Sequence, residues 1–287
     1  MRLSLFDDYR LGVWGRDETI VDITDLLDAV VRPMDRMNAL IERWDELSSV
    51  IAPAQHTVGR ALDTVTLRAP QPRPTKIVGA PANHAGHQQE MIRDGGFADR
   101  PDTIEKYAGF LKAPSSIVGP DATIVLPYPD RRVDHEAELG VVLGRRARHV
   151  MRHQALDYVF GYVPLLDITM RGDEDRPFRK SFDTFTPIGP AIVTADEIAD
   201  PSLLELQLHV NDELRQQGRV AELIYGVARL IEVYSAAMTL EAGDIIATGT
   251  VEGVSRLHDG DRVRLTISGL PPLVIGVTAS EHVAPAT

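Results

Sequence analysis

Two carboxylates stand two residues apart in the run Asp134-His135-Glu136-Ala137-Glu138-Leu139. On a strand alternate side chains share a face, so Glu136 and Glu138 sit side by side while His135, Ala137 and Leu139 face the other way. Next to the apolar stretch Gly140–Leu143, adjacent carboxylates repel unless a proton or a cation lies between them. A hard divalent ion with oxygen ligands answers that need; a solvated face on a sheet edge would give the same pattern. A third acid, Asp167, follows nine almost wholly apolar residues, Tyr158–Leu166. It belongs at the inner end of a buried strand, where an unpaired carboxylate is costly. It must be ion-paired, hydrogen-bonded or ligating, and Arg171 is the nearest partner in sequence. Together the three acids would leave metal positions open to water or a chelating substrate.

Other segments bring other chemistry. His87 and Glu90 lie three residues apart in Asn83–Glu90, a spacing that lets imidazole and carboxylate touch on one helix face. A carboxylate fixes the imidazole tautomer and raises its basicity, as a general base requires; a surface ion pair has the same spacing. His84 adds an imidazole, but a two-histidine zinc site here lacks a third nitrogen ligand. Lys180 precedes Phe182, Phe185 and the rigid Pro187-Ile188-Gly189-Pro190 turn. Held in a pocket, its ammonium would stabilise a developing enolate; otherwise it pairs with Asp183 or lies in solvent. The loop Thr248–Val254 is flanked by glycines, and its N–H groups and the Thr250 hydroxyl can hold a carboxylate. No Walker or dinucleotide-binding loop is present.

These groups need elements to position them. The chain has 287 residues, 44% of them hydrophobic, and its 30 basic and 42 acidic side chains give a net charge of −12. An acidic surplus with no basic patch disfavours nucleic acid. The uncharged run Leu265–Ser280 is broken by Pro271-Pro272 and falls short of the ~18 residues of a spanning helix. Asp7 and Asp8 interrupt any signal-peptide core. Zero cysteines exclude disulfides, thiolate metal sites and cysteine nucleophiles, and fit a reducing cytoplasm.

Strand signals occur at Leu3/Leu5, Leu11/Val13, Ile20–Asp22, Ile77-Val78, Ile124–Leu126, Asp134–Gly144, Leu206–Val210, Asp244–Thr248, Arg262–Ile267 and Leu273–Val277. Asn211-Asp212 supplies a hairpin turn. Thr24 is placed to cap a short helix through Val31, and Met34, Met37, Leu40, Ile41, Trp44 and Leu47 form one helical stripe. Asn83 is placed to cap a helix that Gly95-Gly96 stops. A second stripe runs from Leu223 to Met238. Pro70, Pro72 and Pro74 mark the best boundary, dividing a small module, 1–70, from a body, 71–287. Strands outnumber helices without regular β-α alternation, which predicts a mainly β member of the α+β class.

In order and wording these segments resemble the fumarylacetoacetate hydrolase (FAH) superfamily. The matching runs are Asn83–Glu90, Glu136-Ala137-Glu138, Asp167–Arg171, Lys180–Pro190, Val210–Arg219 and Thr248–Val254, and the opening Met1–Gly15 resembles the N-terminal module of longer members. The resemblance implies an FAH-like β-roll or mixed β-sandwich catalytic domain behind a small N-terminal α/β module, paired into a homodimer. It implies Mg²⁺ or Mn²⁺ (Ca²⁺ in crystals) on Glu136, Glu138 and Asp167, a catalytic His87–Glu90 dyad, and Lys180 beside an enolate. Arg171 and Gln216 fall on substrate-side positions, and Thr250 on the residue that contacts the substrate carboxylate. The implied activity is hydrolysis of a C–C bond in an acylpyruvate or related β-diketo or 2-oxo acid, from the catabolism of aromatic compounds or sugars. Oxaloacetate-type decarboxylation, hydration and keto-enol isomerisation share its intermediate. Partners would be small 2-oxo acids, with no nucleic acid or membrane. Departures from the family pattern bear on the substrate: His84 replaces a tyrosine, Val251 replaces a proline, Val163–Leu166 replaces a polar lead-in, and Gly172–Arg179 is short and acidic.

Overall fold

The computed structural model describes residues 1–27, 30–93, 104–128 and 130–280. Two strands, Ala137–Leu143 and Val159–Leu166, are buried along their whole length. They pair antiparallel from Ala137 opposite Leu166 to Leu143 opposite Val159. Both faces of this ribbon are covered, so its apolar run is nearly continuous instead of alternating. On one face Leu139, Val141 and Tyr162 pack into a core shared with Leu206, Leu208, Val263, Leu265 and Ile275. On the other, Val142, Val163 and Leu165 join Leu3, Leu5, Met37, Leu40, Ile41 and Leu47.

The ribbon is the centre of a ten-stranded sheet. On one side follow Ile192–Thr194, Arg2–Phe6, Arg10–Trp14, Thr19–Asp22 and Arg60–Ala61; on the other, Ile245–Ala247, Ile77–Gly79 and Phe110–Lys112. The N-terminal strands thus extend the sheet that carries the acids. A second sheet of five strands runs Glu213–Arg219, Glu205–Val210, Arg262–Ile267, Leu273–Ala279 and Thr123–Leu126. Its first hairpin turns at Asn211-Asp212, both at positive φ, as the sequence predicts. The protein is strand-rich α+β, with helix Val227–Ala237 packed on the core between the sheets.

Several local expectations change. Thr24 does not cap a helix: its hydroxyl accepts from the Leu11 N–H at 2.9 Å, and the turn it opens is a 3-10 segment, Thr24–Leu26. The Met34–Leu47 stripe is divided into helices Arg36–Glu42 and Trp44–Ile51. The stripe from Leu223 becomes helical only at Val227. Asn83 does not cap helix Ala85–Arg93. Its amide instead donates to the Tyr225 and Thr248 carbonyls, each at 2.8 Å, and accepts from the Tyr225 N–H at 2.7 Å, binding three loops together. Gly95-Gly96 lies outside the described residues.

Gly161 shows how closely the central strands pack. A Cβ placed there would run into the Val193 carbonyl of the neighbouring strand and lie 2.7 Å from Ile192. Backbone cannot yield as a flexible side chain can, so Gly161→Ala is expected to cost about 1–3 kcal/mol of stability. Urea unfolding checks this; an unchanged midpoint would contradict the packing described.

Candidate active site

The acids lie at the mouth of the central ribbon, where its pairing ends. Glu138 is the second residue of its strand, Glu136 lies just before that strand, and Asp167 follows directly on Leu166. The Asp167 N–H donates to the Glu136 carbonyl at 2.9 Å, closing the ribbon and bringing three sequence-distant carboxyls together. All three are buried, and one oxygen from each lies within 4.8 Å of the others. Glu136 and Glu138 line a cleft of about 450 Å³ together with His87, Glu90, Arg171, Lys180 and other residues.

Two lysines and an arginine balance part of this charge. The Lys180 ammonium donates to Glu136 Oε2 at 2.7 Å, Asp167 Oδ2 at 2.5 Å and Thr169 Oγ1 at 2.7 Å. It is buried and does not pair with Asp183. Lys112 donates to Asp167 Oδ1 and, at 2.9 Å, to the Phe185 carbonyl. Arg171 does not pair with Asp167: its Nε donates to Asp134 Oδ2 at 2.7 Å and its Nη2 to Glu136 Oε1 at 3.1 Å. Asp134 also accepts from Arg132 Nε at 2.7 Å.

Glu138 is left out of this balance. Its hydrogen-bond donor is the Gly249 N–H, 2.8 Å from Oε2. Burial, then the charges of Asp167 and Glu136, push its carboxyl well above the ordinary glutamate value against the pull of Lys180. Burial acts on Glu136 in the same sense, but Lys180 and Arg171 outweigh it and hold that carboxyl far below its usual range. The lysine on Asp167 is strained in its turn: burial, together with repulsion from Lys180, holds the Lys112 ammonium below its usual value. A donor set of three buried carboxylates, one of them short of positive charge, suits a hard divalent cation.

The dyad is assembled as the spacing predicts. His87 Nδ1 lies 3.0 Å from Glu90 Oε2, and Glu90 Oε1 accepts from the Gly253 N–H at 3.0 Å. Burial alone would raise the Glu90 carboxyl; the bond and charge of His87 and the loop N–H groups outweigh it and leave it below the usual value. An ionised Glu90 accepts the Nδ1 proton, so Nε2 carries the free lone pair.

Thr250 lines the cleft, with its hydroxyl donating to the Ala137 carbonyl at 2.9 Å. Gln216 is not among the cleft-lining residues. Its amide donates to Thr250 Oγ1 at 2.8 Å and the Val251 carbonyl at 2.7 Å, and accepts from the Ala137 N–H at 3.0 Å and from His135. It buttresses the glutamate strand from behind. Gly249, at φ +96°, turns its N–H toward Glu138, and a Cβ there would lie 2.7 Å from Asn83.

The sequence reading misses Lys112, Asp134 and the arginines Arg132, Arg176 and Arg179 on the cleft wall. Lys112 had a signal: in strand Phe110–Lys112 it shares the buried face with Phe110 while Leu111 points outward. A lysine at an inward position of an apolar strand demands buried carboxylates as partners.

Comparison with known proteins agrees with this geometry. A sequence model of the family described as "Fumarylacetoacetate (FAA) hydrolase C-terminal" matches residues 76–278. A maleylpyruvate hydrolase from Aquipseudomonas alcaligenes is 39% identical over 285 residues, 96% of this chain and 99% of that protein. An oxaloacetate tautomerase from Bacillus subtilis is 38% identical over 227 residues, covering 74% of this chain and 73% of its own. Among solved structures, maleylpyruvate hydrolase from Sphingobium sp. SYK-6, in complex with manganese(II) ion and pyruvate, superimposes with a TM-score of 0.86 at 39% identity, over 98% of this chain and 100% of that one. Sequence, fold and the placing of the acids lead to one conclusion: the chain is an enzyme of the fumarylacetoacetate hydrolase family.

Proposed function

We propose that this enzyme is a divalent-metal-dependent hydrolase that cleaves a C–C bond of an acylpyruvate, with maleylpyruvate or a close analogue as substrate. The observation that carries this reading is the convergence of Glu136, Glu138 and Asp167, the two glutamates lining a cleft that also holds the His87–Glu90 pair. Held by the three carboxylates, a divalent ion would supply Lewis acidity, polarising the keto group of a 2-oxo acid. An all-oxygen donor set favours Mg²⁺ or Mn²⁺ over softer metals.

The chain's own residues do the rest. His87 Nε2 takes a proton from water while Glu90 holds Nδ1–H and stabilises the imidazolium. The hydroxide adds to the carbonyl of the acyl group, and the C–C bond breaks with its electron pair passing to the pyruvate fragment as an enolate. Lys180 offers its ammonium to that developing charge. The imidazolium returns its proton to the enolate carbon, giving pyruvate and a second carboxylic acid. Arg171 and Thr250 are placed to orient the 2-oxo acid end, with Gln216 fixing Thr250.

In this reading residues 1–70 form an N-terminal unit and 71–287 the catalytic one, in a cytoplasmic homodimer acting on small acids. Among the described residues no helix is long and apolar enough to cross a membrane. The Bacillus relative favours a second reading, tautomerisation of oxaloacetate, which would use the same enolate without water. Product analysis separates the two. Maleylpyruvate giving pyruvate plus maleate supports hydrolysis; turnover of oxaloacetate to its enol with no cleavage of any acylpyruvate would overturn it.

Glu138→Ala is expected to lower kcat/KM by at least about 100-fold, and a variant with full activity in metal-free buffer would contradict the proposed role. Lys112→Met leaves Asp167 Oδ1 and the Phe185 carbonyl without their donor. A partner one step behind a metal ligand is worth about 10–100-fold in metal affinity, to be read by Mn²⁺ titration.

The raised Glu138 carboxyl also sets a pH dependence. It holds its proton more tightly in the folded protein than in the unfolded chain. Metal-free stability therefore falls as pH rises from the ordinary glutamate value through the raised one. A metal needs the deprotonated carboxyl and binds the native state alone, so millimolar Mg²⁺ should raise Tm more near pH 8 than near pH 5.5. Equal shifts at both values would count against it.

A further inference from the structure

The cleft wall beyond the carboxylates is cationic: Arg132, Arg171, Arg176 and Arg179 all line it. Arg132 and Arg171 are engaged by Asp134 and Glu136. Arg176 lies over the rings of Tyr107 and Phe110, at 5.8 and 5.6 Å. Arg179 differs. Its Nε donates to the Glu174 carbonyl at 2.7 Å and its Nη1 to the Met170 carbonyl at 3.2 Å, both of them neutral main-chain acceptors. The nearby Glu174 carboxylate is taken by Arg131, which meets it with two bonds of 2.9 Å. Among the described residues no carboxylate is within ion-pair distance of Arg179, and its Nη2 makes no hydrogen bond. Burial, then the charges of Arg171 and Arg176, hold its guanidinium below its usual value. Glu136 and Glu174 attract it only from beyond ion-pair distance, so a half-buried guanidinium, fixed in direction by two carbonyls, keeps donor capacity for an anion that enters the cleft.

Building on the acylpyruvate reading, we propose that Arg179 is the specificity-determining residue that receives the far carboxylate of a dicarboxylic acylpyruvate. The place fits. Lys180, the next residue, is buried and reaches inward to Glu136 and Asp167, whereas Arg179 is half-buried on the wall of the same cleft. A substrate extended from the carboxylate cluster toward that wall brings a terminal carboxylate to the arginine, and an acyl group ending in a methyl leaves the guanidinium unanswered. Planar guanidinium and carboxylate pair through two parallel bonds, which supplies direction as well as charge.

The test is kcat/KM for maleylpyruvate and for acetylpyruvate, which lacks the second carboxylate, in the full-length Mg²⁺-loaded wild type, Arg179→Gln and Arg179→Lys. The wild type should prefer maleylpyruvate. Arg179→Gln should reduce the maleylpyruvate-to-acetylpyruvate ratio by about 10–100-fold, as expected for one charge-assisted pair. The loss should fall mainly on KM, and Arg179→Lys should recover part of the preference. A purely structural role, tying Met170 to Glu174, would depress both substrates alike, and that equal loss would overturn the proposal, as would an unchanged ratio. Should Arg179→Gln fail to fold, wild-type inhibition decides: maleate must bind more tightly than isocrotonate, the cis monocarboxylate of matching shape, and equal inhibition would overturn it. A wild type that cleaves neither acylpyruvate refutes the hydrolase reading itself and the proposal with it, whereas cleavage with no preference between the two refutes the proposal alone.

Discussion

Like charges forced together away from water are the constraint on which this structure turns. Asp134, Glu136, Glu138 and Asp167 are all buried within one short region, and the fold answers with Lys112, Lys180 and Arg171. Each cation touches particular oxygens, two carboxylates apiece for Lys180 and Arg171, so positions are fixed as well as charge offset. The balance stops short at Glu138, which takes its hydrogen bond from the Gly249 N–H and whose carboxyl is pushed well above its ordinary value. Burying acids in this way gives nothing to stability by itself. It makes sense as preparation for a cation of higher charge density than a lysine.

The architecture follows from holding that cluster still. A ribbon covered on both faces cannot shift register without moving two cores at once, and its end is where the acids emerge. The loop that supplies the Gly249 N–H is fastened by Asn83, which also begins the segment leading to His87. Gln216 fastens the outer hairpin to the glutamate strand and to Thr250. The carboxylate cluster, the His87–Glu90 pair and the Gly249 loop are therefore linked through a few buried amides, and a change in one is felt by the others.

Much of this was legible in the sequence, for identifiable reasons. Paired glutamates, the histidine–glutamate spacing and the acid closing an apolar run are local patterns, and the central strands announce themselves by continuous hydrophobicity. Partners set by long-range packing were not legible. Arg171 sits close to Asp167 in sequence yet turns to Asp134 and Glu136, because Lys112, arriving from a distant edge strand, already fills that side of Asp167. Asn83 has the composition of a helix cap but is drawn away by loops more than a hundred residues further on. The helical stripe at Met34–Leu47 is correct in its buried face and wrong in its continuity, since periodicity does not register a break at Arg43. Arg179 lay within a segment legible only as charged.

Anomalous diffraction from crystals equilibrated with Mn²⁺ examines the central claim most directly. The account predicts one strong peak bonded to oxygens of Glu136, Glu138 and Asp167 together. A clean map at that point under saturating metal, or a peak held by other residues, would contradict it.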